Sequence, residues 1–375
     1  MTNETVVKNL FQPFKFGSTE LRNRFVMAPM TRNKSPHGVP GNDVANYYRS
    51  RALGGVGLII TEGAYIDHPV ANGYPGVPAF HGEKALAGWE KVVVGVHAAG
   101  GSIIPQIWHT GAVRIPGTGP NPQLPACGPD ELVVDDVLTV RAMEQADIDK
   151  VVMAYAQAAA EAERIGFDGV EIHGAHGYLI DQFLWSASNH RTDGYGGSLE
   201  NRRRFALEVV KGVRAAVCDD FPVVFRFSQW KLNNYDARIA DSPEELGVLL
   251  KPLADAGVDF FHASTRRMWE PEFKGSPENL ATWVKKLTGK PVITVGSVGL
   301  DKEFRVGHVT GEENPDAKSS VDLVQLDRGI DDNRYDLIAV GRAMLADTEW
   351  TNKVRTNRFD EINHFDVSAL NELVM

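Results

Sequence analysis

The stretch DIDKVVMAYAQAAAEAERIGFDGVEIH, Asp147 to His173, decides the fold. Its first part, Asp147 to Ile165, spaces apolar residues at helical intervals along an alanine-rich face, and Gly166 ends it as a helix C-terminal glycine does. Immediately beyond, Asp168 to His173 is a short apolar run of the kind a buried strand needs. A helix passing so directly into a strand is half of an α/β unit.

Working outward, similar runs occur at Arg24 to Ala28, Val56 to Glu62, Ser102 to Trp108, Pro222 to Ser228, Val258 to Ser264, Pro291 to Gly296 and Tyr335 to Gly341. With Asp168 to His173 these make about eight, the number that closes a (β/α)8 barrel, the TIM-barrel architecture of the α/β class. Leu199 to Val217 and Ser242 to Ala256 read as further covering helices. The expectation is one domain over residues 1–375, because no linker or low-complexity tract divides the chain. Two stretches break the regularity. Gly111 to Gln145 is rich in Pro and Gly around a β-prone segment, Leu132 to Arg141, and predicts a β-hairpin cap inserted after the third strand over about 111–145. Gly307 to Asn333 is polar and acidic, and predicts a loop or variable insert over about 307–333.

Composition narrows the function. The formal charge of −10 opposes attraction to nucleic acid or an anionic membrane surface. Cys127 and Cys218 are too few for a disulfide scaffold, a cysteine-rich zinc module or an iron–sulfur cluster. Met1 to Lys8 has no apolar signal-like run, and no segment reaches roughly 20 consecutive apolar residues. A soluble, reducing, cytoplasmic setting is expected.

In such a barrel chemistry sits at the C-terminal strand ends. Gly296-Ser297 and Gly341-Arg342 end the seventh and eighth strands, where exposed backbone N–H groups and a guanidinium suit a phosphate; alternatively Arg342 pairs with a carboxylate. Arg226 lies inside the apolar run Val-Val-Phe-Arg-Phe-Ser, where an unpaired charge costs several kcal/mol, so it requires an anionic partner, from the protein or from a ligand. Gln106 either reads the edge of a heterocycle or bonds neighbouring backbone. Trp108 is core or pocket wall. His173, His176 and Tyr178 stand at i, i+3 and i+5, and strict strand alternation would put the two histidines on opposite faces, so the strand should end near His173. A turn beginning there would bring both imidazoles and the phenol to one opening. They would hold a substrate oxygen and deliver a proton, ligate zinc if Asp181 or Glu171 turned inward as third ligand, or form a structural hydrogen-bonded pair.

Several motifs in order resemble the Old Yellow Enzyme family of flavin-dependent ene-reductases. They are Leu21-Arg22-Asn23-Arg24-Phe25-Val26-Met27-Ala28-Pro29-Met30-Thr31-Arg32, Thr61-Glu62-Gly63, Gln106-Ile107-Trp108-His109-Thr110-Gly111, His173-Gly174-Ala175-His176-Gly177-Tyr178-Leu179, Asn189-His190-Arg191-Thr192-Asp193-Gly194-Tyr195-Gly196-Gly197 and Val340-Gly341-Arg342. The resemblance implies non-covalent FMN at the barrel mouth. Pro29, Met30 and Thr31 would lie along the flavin, Gly63 and Gln106 at its pyrimidine edge, and Arg226 near N1 and the C2 carbonyl. Gly296, Ser297, Gly341 and Arg342 would hold the phosphate. It further implies two half-reactions in one site: NAD(P)H reduces the flavin, and the flavin then reduces an enone or nitro-alkene. His173 and His176 would grip the substrate oxygen, and Tyr178 would protonate the α-carbon. Trp108 would line the substrate pocket. The resemblance carries no contact onto Thr265-Arg266-Arg267-Met268-Trp269-Glu270-Pro271 after the sixth strand, which either lines the pocket with Trp269 as a lid or packs the surface. No resident metal is implied, and the enzyme would be a monomer or homodimer. The competing readings are a metal-dependent barrel hydrolase or lyase using the two histidines, and a non-catalytic flavoprotein.

Overall fold

The computed structural model describes residues 7–303, 316–318 and 322–375. Eight parallel strands close into a barrel: β1 (Phe25–Met27), β2 (Leu58–Tyr65), β3 (Ser102–Trp108), β4 (Val170–His176), β5 (Val223–Lys231), β6 (Phe260–Ser264), β7 (Val292–Val295) and β8 (Leu337–Val340). Each pairs with the next, and β8 pairs with β1. Between strands run α1 (Asn42–Leu53), α2 (Glu83–Ala98), α3 (Gln145–Arg164), α4 (Arg204–Ala216), α5 (Pro243–Asp255), α6 (Leu280–Thr288) and α7 (Leu323–Asp331), with α8 (Trp350–Arg355) after β8. Their apolar faces bury the outside of the strands in one continuous core.

The barrel interior is a separate apolar cluster. Val26, Leu58, Ile104, Val224, Ile293 and Leu337 point inward, and Phe16 and Leu21 from the hairpin Phe14–Phe16/Thr19–Leu21 join them. Alternation along each strand then fixes which residues form the next layer toward the mouth.

Three sequence expectations change. The fourth strand runs on to His176 rather than ending near His173, because a register shift in β5 between Phe227 and Lys231 lets Lys231 pair with His176; the left-handed backbone of His176 (φ 65°) ends it there. The covering helix expected over Leu199 to Val217 is interrupted at Arg203, leaving a four-residue turn, Leu199–Arg202, before α4. Within the stretch read as a loop or insert, Leu323–Asp331 is α7, which buries Leu323 and Leu326 at helical spacing and leaves Val324, Gln325, Arg328 and Asp331 exposed. Residues 304–315 and 319–321 of that region lie outside the described residues. After β3, Val137–Ala142 turns back on Leu132–Val134 as an antiparallel hairpin and pairs with Ala126–Gly128. Asp135 and Asp136 supply the left-handed turn, and Leu132, Val133, Val134 and Val137 remain exposed.

Candidate active site

Two residues above Ile104 and Val224 on their strands come Gln106 and Arg226, and above Phe260 comes His262. These inward positions, together with Glu171 and His173 of β4, make a buried polar layer across β3 to β6. The Gln106 side chain does not bond neighbouring backbone among the described residues: its Nε2 donates to Glu171 Oε1 at 2.7 Å. Arg226 Nη2 donates to Ser264 Oγ at 3.3 Å, while its buried Nε has no partner among the described residues. Burial lowers the Arg226 pKa, and the nearby Glu171 charge opposes that shift.

The left-handed turn at His176 brings the imidazoles to the same opening. The ring centroids of His173 and His176 lie 5.2 Å apart, and His173 is 5.1 Å from Tyr178. His176 Nε2 meets Ser264 Oγ at 2.8 Å, and its backbone N–H donates to Ser228 Oγ at 3.0 Å. His173 Nδ1 is buried and has no partner among the described residues. Burial, and then the Arg226 charge, hold both imidazoles well below the ordinary histidine pKa, so both are neutral near pH 7. Tyr178 begins the short helix Leu179–Leu184, packs edge-on to Trp108 at 4.7 Å, and has its pKa pushed well up by burial. Asp181, one turn along that helix, forms a fully buried ion pair with Lys231 Nζ at 2.7 Å and accepts the Gly177 N–H at 2.6 Å.

At the β7 and β8 ends, Gly296 and Ser297 lie next to Gly341 and Arg342 because the two strands are paired. Gly296 has φ 151°, and a side chain there would meet Thr265 Oγ1 at 2.6 Å. Ser297 Oγ donates to the Arg266 carbonyl at 2.8 Å. Arg342 bonds a backbone carbonyl, that of Lys302, at 2.5 Å. Burial, and then the Arg266 charge, push its pKa down to about 10. At the β1 end Pro29 and Met30 are half-buried and Thr31 is exposed, with the Met30 sulfur beside Gly341. Gly63 pairs in register with Gln106, and a Cβ at Gly63 would strike the Trp108 ring at 2.7 Å.

Two aromatic residues that sequence reasoning missed complete the opening. Tyr74 lies over Trp108 with its hydroxyl 3.4 Å from that of Tyr178. Trp230 packs on His176 at 4.4 Å. Trp269, read as either a lid or a surface residue, is 47% exposed, while its neighbours Arg267 and Glu270 line a cleft of about 330 Å³ beside Trp230 and Ser264.

The metal reading loses its third ligand here, since Asp181 is held by Lys231, and Glu171 by Gln106 and His262. A second trio, His68, His109 and Cys127, lies within 4.8 Å. There the Gly111 N–H occupies His109 Nδ1, which puts the ring proton on Nε2, facing His68 Nδ1 at 2.9 Å. The nitrogen a metal would need is thus already a donor.

A flat heterocycle with a phosphate tail suits what remains. The Gly63 and Gly296 positions leave no room for a side chain, and Arg226 Nε, His173 Nδ1 and Trp108 Nε1 are buried polar atoms lacking a partner among the described residues. Comparison with known proteins agrees. Residues 9–314 match the model of the NADH:flavin oxidoreductase / NADH oxidase family. The chain is 34% identical over 365 residues to an NADH oxidase of Thermoanaerobacter brockii, covering 94% of this chain and 52% of that protein, so it spans about half the length of that relative. It is also 34% identical over 360 residues to putative 12-oxophytodienoate reductase 2 of Oryza sativa subsp. japonica, covering 94% and 89% of the two chains. A structure of morphinone reductase in complex with tetrahydroNAD superposes with a TM-score of 0.79 at 31% identity, over 96% of this chain and 94% of the other. Since the family model matches most of the chain and the barrel superposes on that of morphinone reductase over nearly its whole length, the chain belongs to the NADH:flavin oxidoreductase family in its Old Yellow Enzyme form, a family of oxidoreductases that bind FMN and draw on a nicotinamide reductant.

Proposed function

We propose that the chain is an NAD(P)H-dependent ene-reductase, a single FMN-binding barrel that reduces the C=C bond of α,β-unsaturated carbonyl or nitro compounds. The observation that carries this reading is the convergence of His173, His176 and Tyr178 on one opening, with ring separations of 5.1 to 5.2 Å.

FMN held by Pro29, Met30, Thr31, Gly63, Gln106, Arg226, Gly296, Ser297, Gly341 and Arg342 would supply the hydride chemistry, first as acceptor from NAD(P)H and then as donor to the alkene. The chain's own residues do the rest. Neutral His173 and His176 offer N–H donors to the substrate oxygen and polarise the alkene toward attack at its β-carbon. Tyr178, kept protonated by burial, gives its proton to the α-carbon as that carbon becomes basic. Trp108, Tyr74 and Trp230 wall the pocket and exclude water.

Denaturing the purified protein should release about one FMN per chain, and the intact protein should oxidise NADH or NADPH while saturating 2-cyclohexenone. Protein that cannot be loaded with FMN would overturn the reading. Protein whose flavin is reduced but never reoxidised by any enone or nitro-alkene would be the non-catalytic flavoprotein instead.

A further inference from the structure

Beneath the opening, a carboxylate that the mechanism above does not use ties the polar layer together. Glu171 Oε1 accepts from Gln106 Nε2 at 2.7 Å, and Glu171 Oε2 accepts from His262 Nδ1 at 2.7 Å. Glu171 and His262 are wholly buried. We infer that Glu171 is a positioning residue, which fixes the Gln106 amide with its carbonyl toward the flavin and offsets the Arg226 charge there; the inference rests on the flavin reading above.

The orientation follows from what each group can do. A glutamine side chain usually allows two arrangements of its amide that look alike in shape. A carboxylate accepts and cannot donate, so Gln106 must turn its NH2 to Glu171. Its carbonyl oxygen is then the atom left for a ligand, and Gln106 Oε1 accepts no hydrogen bond among the described residues. At the pyrimidine edge of an isoalloxazine the donor is N3–H, between two carbonyls. An amide presented by its oxygen pairs with N3–H, whereas one presented by its NH2 would face the carbonyls. Glu171 therefore determines which atom of that edge is read.

Glu171 also acts through its charge, independently of the amide. Arg226 is the layer's cation, and its only described hydrogen bond within the protein is the one to Ser264. His262 is held neutral, because burial outweighs its hydrogen bond to Glu171. Glu171 is thus the anion that balances Arg226 in a dry setting where charges are weakly screened. Replacing it with a neutral group leaves the guanidinium uncompensated and favours negative charge on a bound flavin, as two-electron reduction places there.

The test compares FMN-loaded wild-type protein with Glu171→Gln by equilibration against a reference dye at pH 7. The expected result is a higher potential for Glu171→Gln, with the reduced-to-oxidised ratio raised at least tenfold at a fixed potential, about 30 mV for a two-electron couple. His262→Asn keeps both the carboxylate and a donor near the Nδ1 position, so its ratio should stay within threefold of wild type. In wild-type protein loaded with 15N-labelled FMN, the N3 resonance should show hydrogen-bond donation and slow proton exchange. An unchanged potential in Glu171→Gln, or an N3 that donates to nothing, would overturn the inference while leaving the flavin reading intact. If Glu171→Gln does not fold, the N3 measurement on wild-type protein decides. Failure of the wild-type protein to take up FMN is a distinct result and would overturn both.

Discussion

The hydroxyl oxygens of Tyr74 and Tyr178 face each other at 3.4 Å, joining the loop after β2 to the turn after β4. Burial is the main reason the Tyr178 phenol resists ionisation, and the Tyr74 hydroxyl adds to it. Tyr178 therefore holds its proton near pH 7 and has a second hydroxyl beside it.

Tyr178→Phe should leave FMN binding and flavin reduction by NAD(P)H largely intact, since neither needs the phenol proton. Reoxidation by 2-cyclohexenone should slow by about 10²-fold or more. Tyr74→Phe should slow the same step by less than about tenfold, because it removes a neighbour and leaves the donor. Stopped-flow absorbance of the flavin separates the two steps, with oxygen as a reoxidant that needs no carbon protonation. A wild-type enone rate in Tyr178→Phe would remove the phenol from the mechanism.

Arg342 stands at the end of β8 beside the Gly296 turn, with its pKa lowered by burial and by the Arg266 charge. A guanidinium placed this way gains most from an anion. Arg342→Ala should weaken FMN about ten- to a hundredfold, as expected for a charge-assisted contact of roughly 1.5–3 kcal/mol, and leave riboflavin nearly unchanged. Flavin fluorescence titrations measure both. Equal losses for the two flavins would place the phosphate elsewhere.

Much of this site was legible because a polar residue inside an apolar strand needs a reason, and Gln106 and Arg226 carry that signal plainly. Glu171 and His262 carry it too, in Val170-Glu171-Ile172 and Phe261-His262-Ala263. They are harder to interpret because each is the other's partner, a relation between β4 and β6 that no linear spacing shows. The eight strands were readable within a few residues at each end, since buried parallel strands are nearly continuous apolar runs. The extension of β4 to His176 was hidden, because it depends on a register shift in the neighbouring strand and ends at a left-handed non-glycine residue. Tyr74 and Trp230 reach the opening from a loop and from the end of a strand, and composition cannot distinguish them from Trp269, which stays at the surface. For α7, acidic composition masked the spacing of Leu323 and Leu326.

The Asp181–Lys231 pair anchors the turn that carries Tyr178, and both side chains are fully buried. Removing one member strands the other charge in a dry setting, which costs about 3–5 kcal/mol. Lys231→Met should lower the unfolding free energy by that order in urea titrations, and the double variant Asp181→Leu, Lys231→Met should recover part of the loss. A penalty below about 1 kcal/mol for Lys231→Met would mean that water or a rearranged Asp181 compensates.

Glu62 gives the stability of this barrel a pH dependence. Its Oε2 accepts the backbone N–H groups of Arg32 at 2.8 Å and Asn33 at 3.2 Å, tying the β2 end to the loop after β1. Burial dominates over those bonds and pushes its pKa from the ordinary 4.5 up to about 7. Between these values the folded protein keeps a proton that the unfolded chain has released, so rising pH favours unfolding across the window. Above about 7 both states are ionised and the effect levels off. Glu62→Gln has no such proton, so its stability relative to wild type should climb between pH 4.5 and 7 by an amount on the order of 3 kcal/mol, then stay flat. Comparing the two proteins at each pH cancels the other titrating groups. A difference that does not vary with pH would show that Glu62 ionises at its ordinary value in the folded protein, held by the two backbone donors despite its burial.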